Sequence, residues 1–370
     1  MKPNVVYHIC TCIVGLVLYS CMSNSQPESG HAGKHVIPVD FSQTSDTLLF
    51  SCFIDSVESK YLILPDSLFI GEATQIYLDS TDIFVVDRRL KRVFHFDRNG
   101  LFINQIDRLG EGPEEYLKIS NFWVHKEELY IEDHQSLKIN IYAFDGEYQR
   151  SIRYEKHFSN ITMVSDSLFL CFTPYFIYDN PVGAWTMGTD GKLKEELVSY
   201  NTSYPVVSLF WKYFYKTSKE ETGLFSPVTN SFMTYHADSL TTDIQMDCAQ
   251  HTAAAFPGVS DCWQVKEDFY TQGWFIDGTD WLLSCFGRFQ GNEAFYLLYS
   301  KTKKKVRIFR NINVDVGNVH QLGMPICSNL PNSLVTLIAD DDFYDENKLE
   351  HAMDGKSFLL LQIYRMKIGV

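Results

Sequence analysis

The stretch IFVVDRRLKRVFHFDRNGLF at residues 83–102 returns as LYIEDHQSLKINIYAFDGEY at residues 129–148. Asp87 aligns with Asp133, Gly100 with Gly146 and Phe102 with Tyr148, each pair 46 positions apart. In both copies one apolar-rich run precedes the Asp and a second precedes the Gly. A repeat of this length made of short strands rather than helices predicts the blade of a propeller. Asn99-Gly100 and Asp145-Gly146 mark the hairpin between the third and fourth strands, because these residue types tolerate positive φ.

The same plan extends outward. The first blade is expected at 74–78, 83–86, 93–96 and 101–106, and the second at 119–123, 129–132, 140–144 and 148–153. A third follows at 161–164, 168–172, 184–187 and 193–198, with Asp190-Gly191 at its turn. A fourth is expected within 206–247, with strands at 209–215, 232–236 and 242–246. The fifth spans 269–275, 281–286, 294–299 and 306–310. A sixth shows only three strands, 319–324, 334–339 and 358–366. Its missing strand is expected from the N-terminal segment, 60–64 or alternatively 36–41, because pairing the chain ends removes open sheet edges. The expected fold is therefore all-β: a six-bladed β-propeller of four-stranded blades over residues 36–370, closed by an N-terminal strand that completes the last blade.

Composition agrees with this reading. Aromatics make up 15% of the 370 residues, and rings suit half-buried strands, where they pack against cross-strand neighbours. The formal charge of −14 speaks against nucleic acid as a partner, since that affinity comes mostly from Lys and Arg on phosphates.

The first 20 residues read as an export signal: Lys2, then the apolar run ICTCIVGLVL at 9–18, too short to span a bilayer. Leu18-Tyr19-Ser20-Cys21 resembles the bacterial lipobox, which implies acylation of Cys21 and a membrane partner reached through a lipid anchor. The polar segment that follows makes 21–35 a lipidated cysteine with a flexible spacer. Met22 takes a position where Asp often retains lipoproteins in the inner membrane, so the resemblance implies the outer membrane of the cell envelope. The remaining cysteines, Cys52, Cys171, Cys248, Cys262, Cys285 and Cys327, show no paired metal spacing. They are expected as free thiols, with Cys248 and Cys262 the nearest pair for a disulfide.

The passage LILPDSLFIG at 62–71, and above all LGEGPEEY at 109–116, resembles the six-bladed β-propeller lipoproteins of bacteria, distant relatives of NHL-repeat and TolB-like propellers. That family commonly has a third Gly where this chain carries Glu114. The resemblance implies a fold and a location; it transfers no general activity.

In a propeller the loops between second and third strands, and the links between blades, share one face around the channel mouth. Here that face collects Arg88, Arg89, Arg108 and His134, together with the insertion 173–183, whose Tyr175, Phe176 and Tyr178 offer an aromatic platform for sugars or peptide side chains. Arginines suit bidentate binding of a carboxylate or sulfate, but Asp87, Glu111 and Glu114 stand ready to pair with them. Gly110 and Gly112 read as backbone-driven, allowing a tight crossing between blades.

No His-Glu-x-x-His, Gly-x-Ser-x-Gly, phosphate-cradling loop or Cys-x-x-Cys occurs. No catalytic residue, cofactor or structural metal is expected; the acidic loop with Asp340, Asp341, Asp342, Asp345 and Glu346 is the one candidate for calcium. The reading therefore favours binding over catalysis: a membrane-anchored envelope protein whose loop face binds a glycan, peptide or protein partner. Two alternatives stand beside it, a propeller hydrolase or lyase acting on a polysaccharide or peptide at the channel mouth, and a sensory or assembly scaffold.

Overall fold

The computed structural model describes residues 34–174, 181–205, 213–265, 269–316, 322, 324–339 and 358–369. Three strands come first: β1 (His35–Pro38), β2 (Thr44–Leu49) and β3 (Ile54–Ile63). Blade 1 is β4 (Ala73–Leu78), β5 (Asp82–Asp87), β6 (Arg92–Asp97) and β7 (Phe102–Ile106). Blade 2 is β8 (Asn121–His125), β9 (Glu128–Asp133), β10 (Lys138–Ala143) and β11 (Tyr148–Arg153). Blade 3 is β12 (Asn160–Ser165), β13 (Leu168–Phe172), β14 (Val182–Gly188) and β15 (Leu193–Ser199). Blade 4 is β16 (Phe214–Lys216), β17 (Thr222–Ser226), β18 (Ser231–His236) and β19 (Ser239–Asp247). Blade 5 is β20 (Tyr270–Asp277), β21 (Trp281–Arg288), β22 (Ala294–Ser300) and β23 (Lys305–Asn313). Blade 6 takes β24 (Met324–Pro325), β26 (Ser333–Ala339) and β27 (Phe358–Met366), with the short β25 (Cys327–Ser328) between the first two.

Each blade is an antiparallel sheet in chain order, and the six together make the six-bladed β-propeller. The ring closes where β3 pairs antiparallel with β27, from Phe358 opposite Ile63 to Met366 opposite Ile54. Closure thus uses the 60–64 segment. The alternative at 36–41 does other work: β1 runs parallel to β19 on the outer edge of blade 4, and β2 runs parallel to β23 on blade 5. The N-terminal segment therefore covers the rims of three successive blades, and edges that would present unpaired N–H and C=O groups are paired.

Burial explains which runs became which strands. The middle strands β5 (DIFVVD) and β9 (ELYIED) are buried at five of six positions, because both faces of a blade pack against its neighbours. The outer strands β11 (YQRSIR) and β15 (LKEELVS) are polar and largely exposed. The core lies between blades: Trp123, Tyr130 and Ile139 of blade 2 meet Phe169, Cys171 and Trp185 of blade 3. The strand β17 (TGLFS) escaped the sequence reading, since its Gly and Ser break the apolar pattern. Only Phe214–Lys216 forms the first strand of blade 4, and residues 209–212 of the expected 209–215 strand lie outside the described residues, as do 319–321 and 323 of the expected 319–324 strand.

The three hairpin glycines adopt positive φ, +89° at Gly100, +88° at Gly146 and +75° at Gly191. Two of them also touch the preceding blade: a Cβ on Gly100 would lie 1.9 Å from the Tyr61 carbonyl oxygen, and one on Gly191 1.8 Å from that of Arg153. The turn glycine serves the hairpin and the inter-blade contact at once.

Candidate functional site

The first strands of the blades surround the axis and leave a channel. A strap lines it: the connection from β24 to β26 passes from blade 6 to the neighbouring blade 1, where β25 pairs parallel with β4, Cys327 opposite Gln75 and Ser328 opposite Ile76. Asn329 fastens the strap by accepting from Leu78 N–H and donating to Leu78 C=O, both at 2.8 Å. The strap separates two cavities. One, of about 530 Å³, lies among blades 1, 4, 5 and 6, with apolar walls from Ile70, Phe214, Trp274, Ile326 and Leu330. The other, of about 390 Å³, lies among blades 1 to 4.

Phe214, Tyr215 and Lys216 of β16 line both cavities. Tyr215 is held by Phe275 in an edge contact at 5.2 Å, and its ring fills the space that a side chain at Gly223, opposite it on β17, would need. Lys216 is exposed to the lumen, yet protein surrounds it closely enough that burial pushes its ammonium below the ordinary value, with Glu220 pulling the other way. Asp277, also on the wall of the larger cavity, is matched already: Lys301 Nζ lies 2.5 Å from its carboxylate. Lys216 makes no hydrogen bond or ion pair with the described residues through its ammonium. The sequence marks it only as a charge ending an aromatic run, so its place in the channel was not legible there.

The larger cavity reaches the loop face at residues 70–74. That rim is tied down by the repeated aspartate. Asp87 accepts from Gly71 N–H at 2.5 Å and from Leu90 N–H at 2.8 Å, joining the blade link to the turn after β5. Asp133 repeats this, accepting from Leu117 N–H at 2.9 Å, Gln135 N–H at 3.1 Å and the Ser136 hydroxyl at 2.6 Å. The repeat conserves a structural knot, which is why both aspartates are fully buried.

The expected loop-face residues fall around this rim. Arg88 donates its N–H to Glu72 C=O at 3.0 Å, and the Arg89 stem would meet a Cβ on Gly71 at 3.4 Å, so both flank the cavity edge. Arg108 lies further round, 3.7 Å from the Glu114 carboxylate in an exposed pair of little energetic weight. His134 faces His157 across 4.9 Å between blades 2 and 3. Tyr175, Phe176 and Tyr178 lie outside the described residues, as do Cys21 and the acidic loop with Asp340 and Asp341. The glycines of 109–116 have a different reason from the expected one. Gly112 N–H donates to the Glu115 carboxylate at 2.8 Å, and a Cβ at Gly110 would lie 2.0 Å from that carboxylate. They make room for a folded-back side chain.

Beside His134 lies Glu132, whose carboxyl is fully buried and accepts from Asn121 Nδ2 at 2.9 Å and from the Tyr154 hydroxyl. Burial pushes its pKa up to about 7, against those two hydrogen bonds. His134 Nδ1 stands 3.8 Å away, but burial and His157 lower the His134 pKa. Both groups are driven toward their neutral forms, so the contact is not a firm ion pair. With its oxygens engaged and no exposure, Glu132 holds blades 2 and 3 together rather than meeting a substrate. Among the described residues no three His, Cys, Asp or Glu side chains gather to hold a metal, and Cys52, Cys171, Cys248, Cys262 and Cys285 are free thiols.

The architecture is shared. A solved structure from Bacteroides fragilis NCTC 9343, named as an exported protein, aligns with a TM-score of 0.66 at 14% identity over 91% of this chain and 100% of that one. A member of the DUF4221 family from Bacteroides vulgatus ATCC 8482 aligns with a TM-score of 0.48 at 10% identity, over 85% and 99% of the two chains. No curated protein matches. Residues 34–360 match the family described as Domain of unknown function (DUF4934), and the chain belongs to that family.

Proposed function

We propose that this protein is an exported, membrane-anchored ligand-binding lipoprotein of the cell envelope, lipidated at Cys21, whose propeller takes its ligand into the axial channel from the loop face. One observation carries this reading: a cavity of about 530 Å³ with mostly apolar walls, a few polar groups and an edge at the 70–74 link, to which the Arg88 main chain is hydrogen-bonded. That volume lies within the range of small-molecule sites, roughly 300–1,000 Å³. It suits a small ligand, or one end of a glycan or peptide, better than a broad protein interface. The likeness to an exported propeller supports the envelope location through fold alone.

Gly273 provides the test. It lines the cavity, and a Cβ there meets its nearest neighbour, the Cys285 carbonyl oxygen, at an ordinary 3.5 Å. Gly273→Phe should fill the channel while keeping the thermal midpoint within a few degrees. Screened on glycan, peptide and small-molecule arrays, the domain from Lys34 onward should capture a ligand that the variant loses. Equal capture by a folded Gly273→Phe protein would move the site out of the channel.

A further inference from the structure

Resting on the channel as the binding site, we infer that its ligand is an amphipathic anion, a carboxylate, sulfate or phosphate head on an apolar body, with the head held by Lys216. Three observations meet here. Lys216 lines both cavities, so its ammonium is available where the two compartments join. The other charges on the walls differ in kind: Asp277 is paired with Lys301, Glu72 lies at the loop-face rim, and Glu220, in the turn that follows Lys216, attracts its ammonium without a hydrogen bond or ion pair to it. And the surfaces beside it, Phe214, Trp274, Ile326 and Leu330, are apolar.

The Lys216 side chain is exposed to the channel, so water satisfies its ammonium until an anion takes that place. Among the described residues none supplies it with an acceptor. The protein as a whole carries a net charge of −14, so a lysine on the channel wall is not part of a generally basic surface. A ligand anion would regain a charge-assisted hydrogen bond there, while its apolar part leaves water for the 530 Å³ compartment. A neutral apolar ligand gains only the second term. The structure therefore discriminates by charge.

Two dyes with one aromatic skeleton separate these terms: 1-anilinonaphthalene-8-sulfonate, which carries an anion, and N-phenyl-1-naphthylamine, which does not. The folded domain should bind the sulfonate about tenfold or more tightly than the neutral dye, the range of a charged hydrogen bond. Lys216→Met should erase that preference and leave the neutral dye within about twofold, since the Met side chain keeps the stem and loses the charge. Lys216→Arg should restore it, and Gly273→Phe should abolish both. If both dyes bind the native protein equally, and Lys216→Met changes neither, the anion assignment is overturned while the channel remains a binding site. If neither dye binds the folded protein, or Gly273→Phe leaves both bound, the channel reading falls and takes this inference with it.

Discussion

The side-chain amide of Asn329 pairs with both main-chain groups of Leu78, as a strand residue would, although the two lie 251 positions apart. Through this pair the last blade anchors on the inner strand of the first. Asn329→Ala leaves a main-chain N–H and C=O of Leu78 without these partners, which should cost about 1–3 kcal/mol. Asn329→Asp should be at least as harmful, because a carboxylate would face the Leu78 carbonyl. Urea unfolding measures both; an unchanged midpoint would mean that the strap holds without Asn329.

The hairpin glycines should not be equally replaceable. Gly146→Ala has its nearest contact at 3.7 Å and pays only for positive φ, about 1–2 kcal/mol. Gly100→Ala adds a Cβ at 1.9 Å from the Tyr61 carbonyl oxygen and must push β3 away from blade 1, so its cost should exceed that of Gly146→Ala by more than about 1 kcal/mol. Ile63 N–H donates to Gly100 C=O at 2.8 Å at the same junction, so the loss falls on ring closure. Equal destabilisation of the two variants would place the strain in the hairpin alone.

Glu132 should make stability depend on pH. The folded protein keeps its proton up to about pH 7, whereas the ordinary value is 4.5. A raised pKa contributes stability that is whole below pH 4.5 and lost as pH rises through 7, by about 3 kcal/mol in all. His134, with a lowered pKa, works in the opposite sense as pH falls below its ordinary 6.5. Glu132→Gln keeps a carbonyl acceptor for the Asn121 amide, lets its own NH2 donate to the Tyr154 hydroxyl oxygen, and should flatten the decline between pH 5 and 8. If the variant keeps the native slope, the decline has another source.

Cys21→Ala tests the anchor. In a bacterial host, labelled palmitate should appear on the native protein and be absent from the variant, which should leave the membrane fraction, because acyl chains supply about 0.8 kcal/mol per buried CH₂. Label on the variant would place the lipid elsewhere or refute the lipobox reading.

Hairpin chemistry is local, and for that reason blades 1, 2, 3 and 5 were legible in the chain. Asp-Gly and Asn-Gly turns, with apolar runs on either side, specify a strand pair within a dozen residues. Even ring closure followed from counting, since a blade of three strands leaves an edge to fill. The repeat also exposed Asp87 and Asp133, though not that they bind backbone N–H groups instead of arginines. Tertiary structure alone decided the rest. The partners of β1 and β2 lie more than 200 positions away and leave no local trace. The strap at Asn329 reads as a plain loop until blade 1 stands opposite it. Lys216 became a channel residue only because six inner strands converge on one axis, and convergence is a property of the closed ring, which no single window of sequence contains.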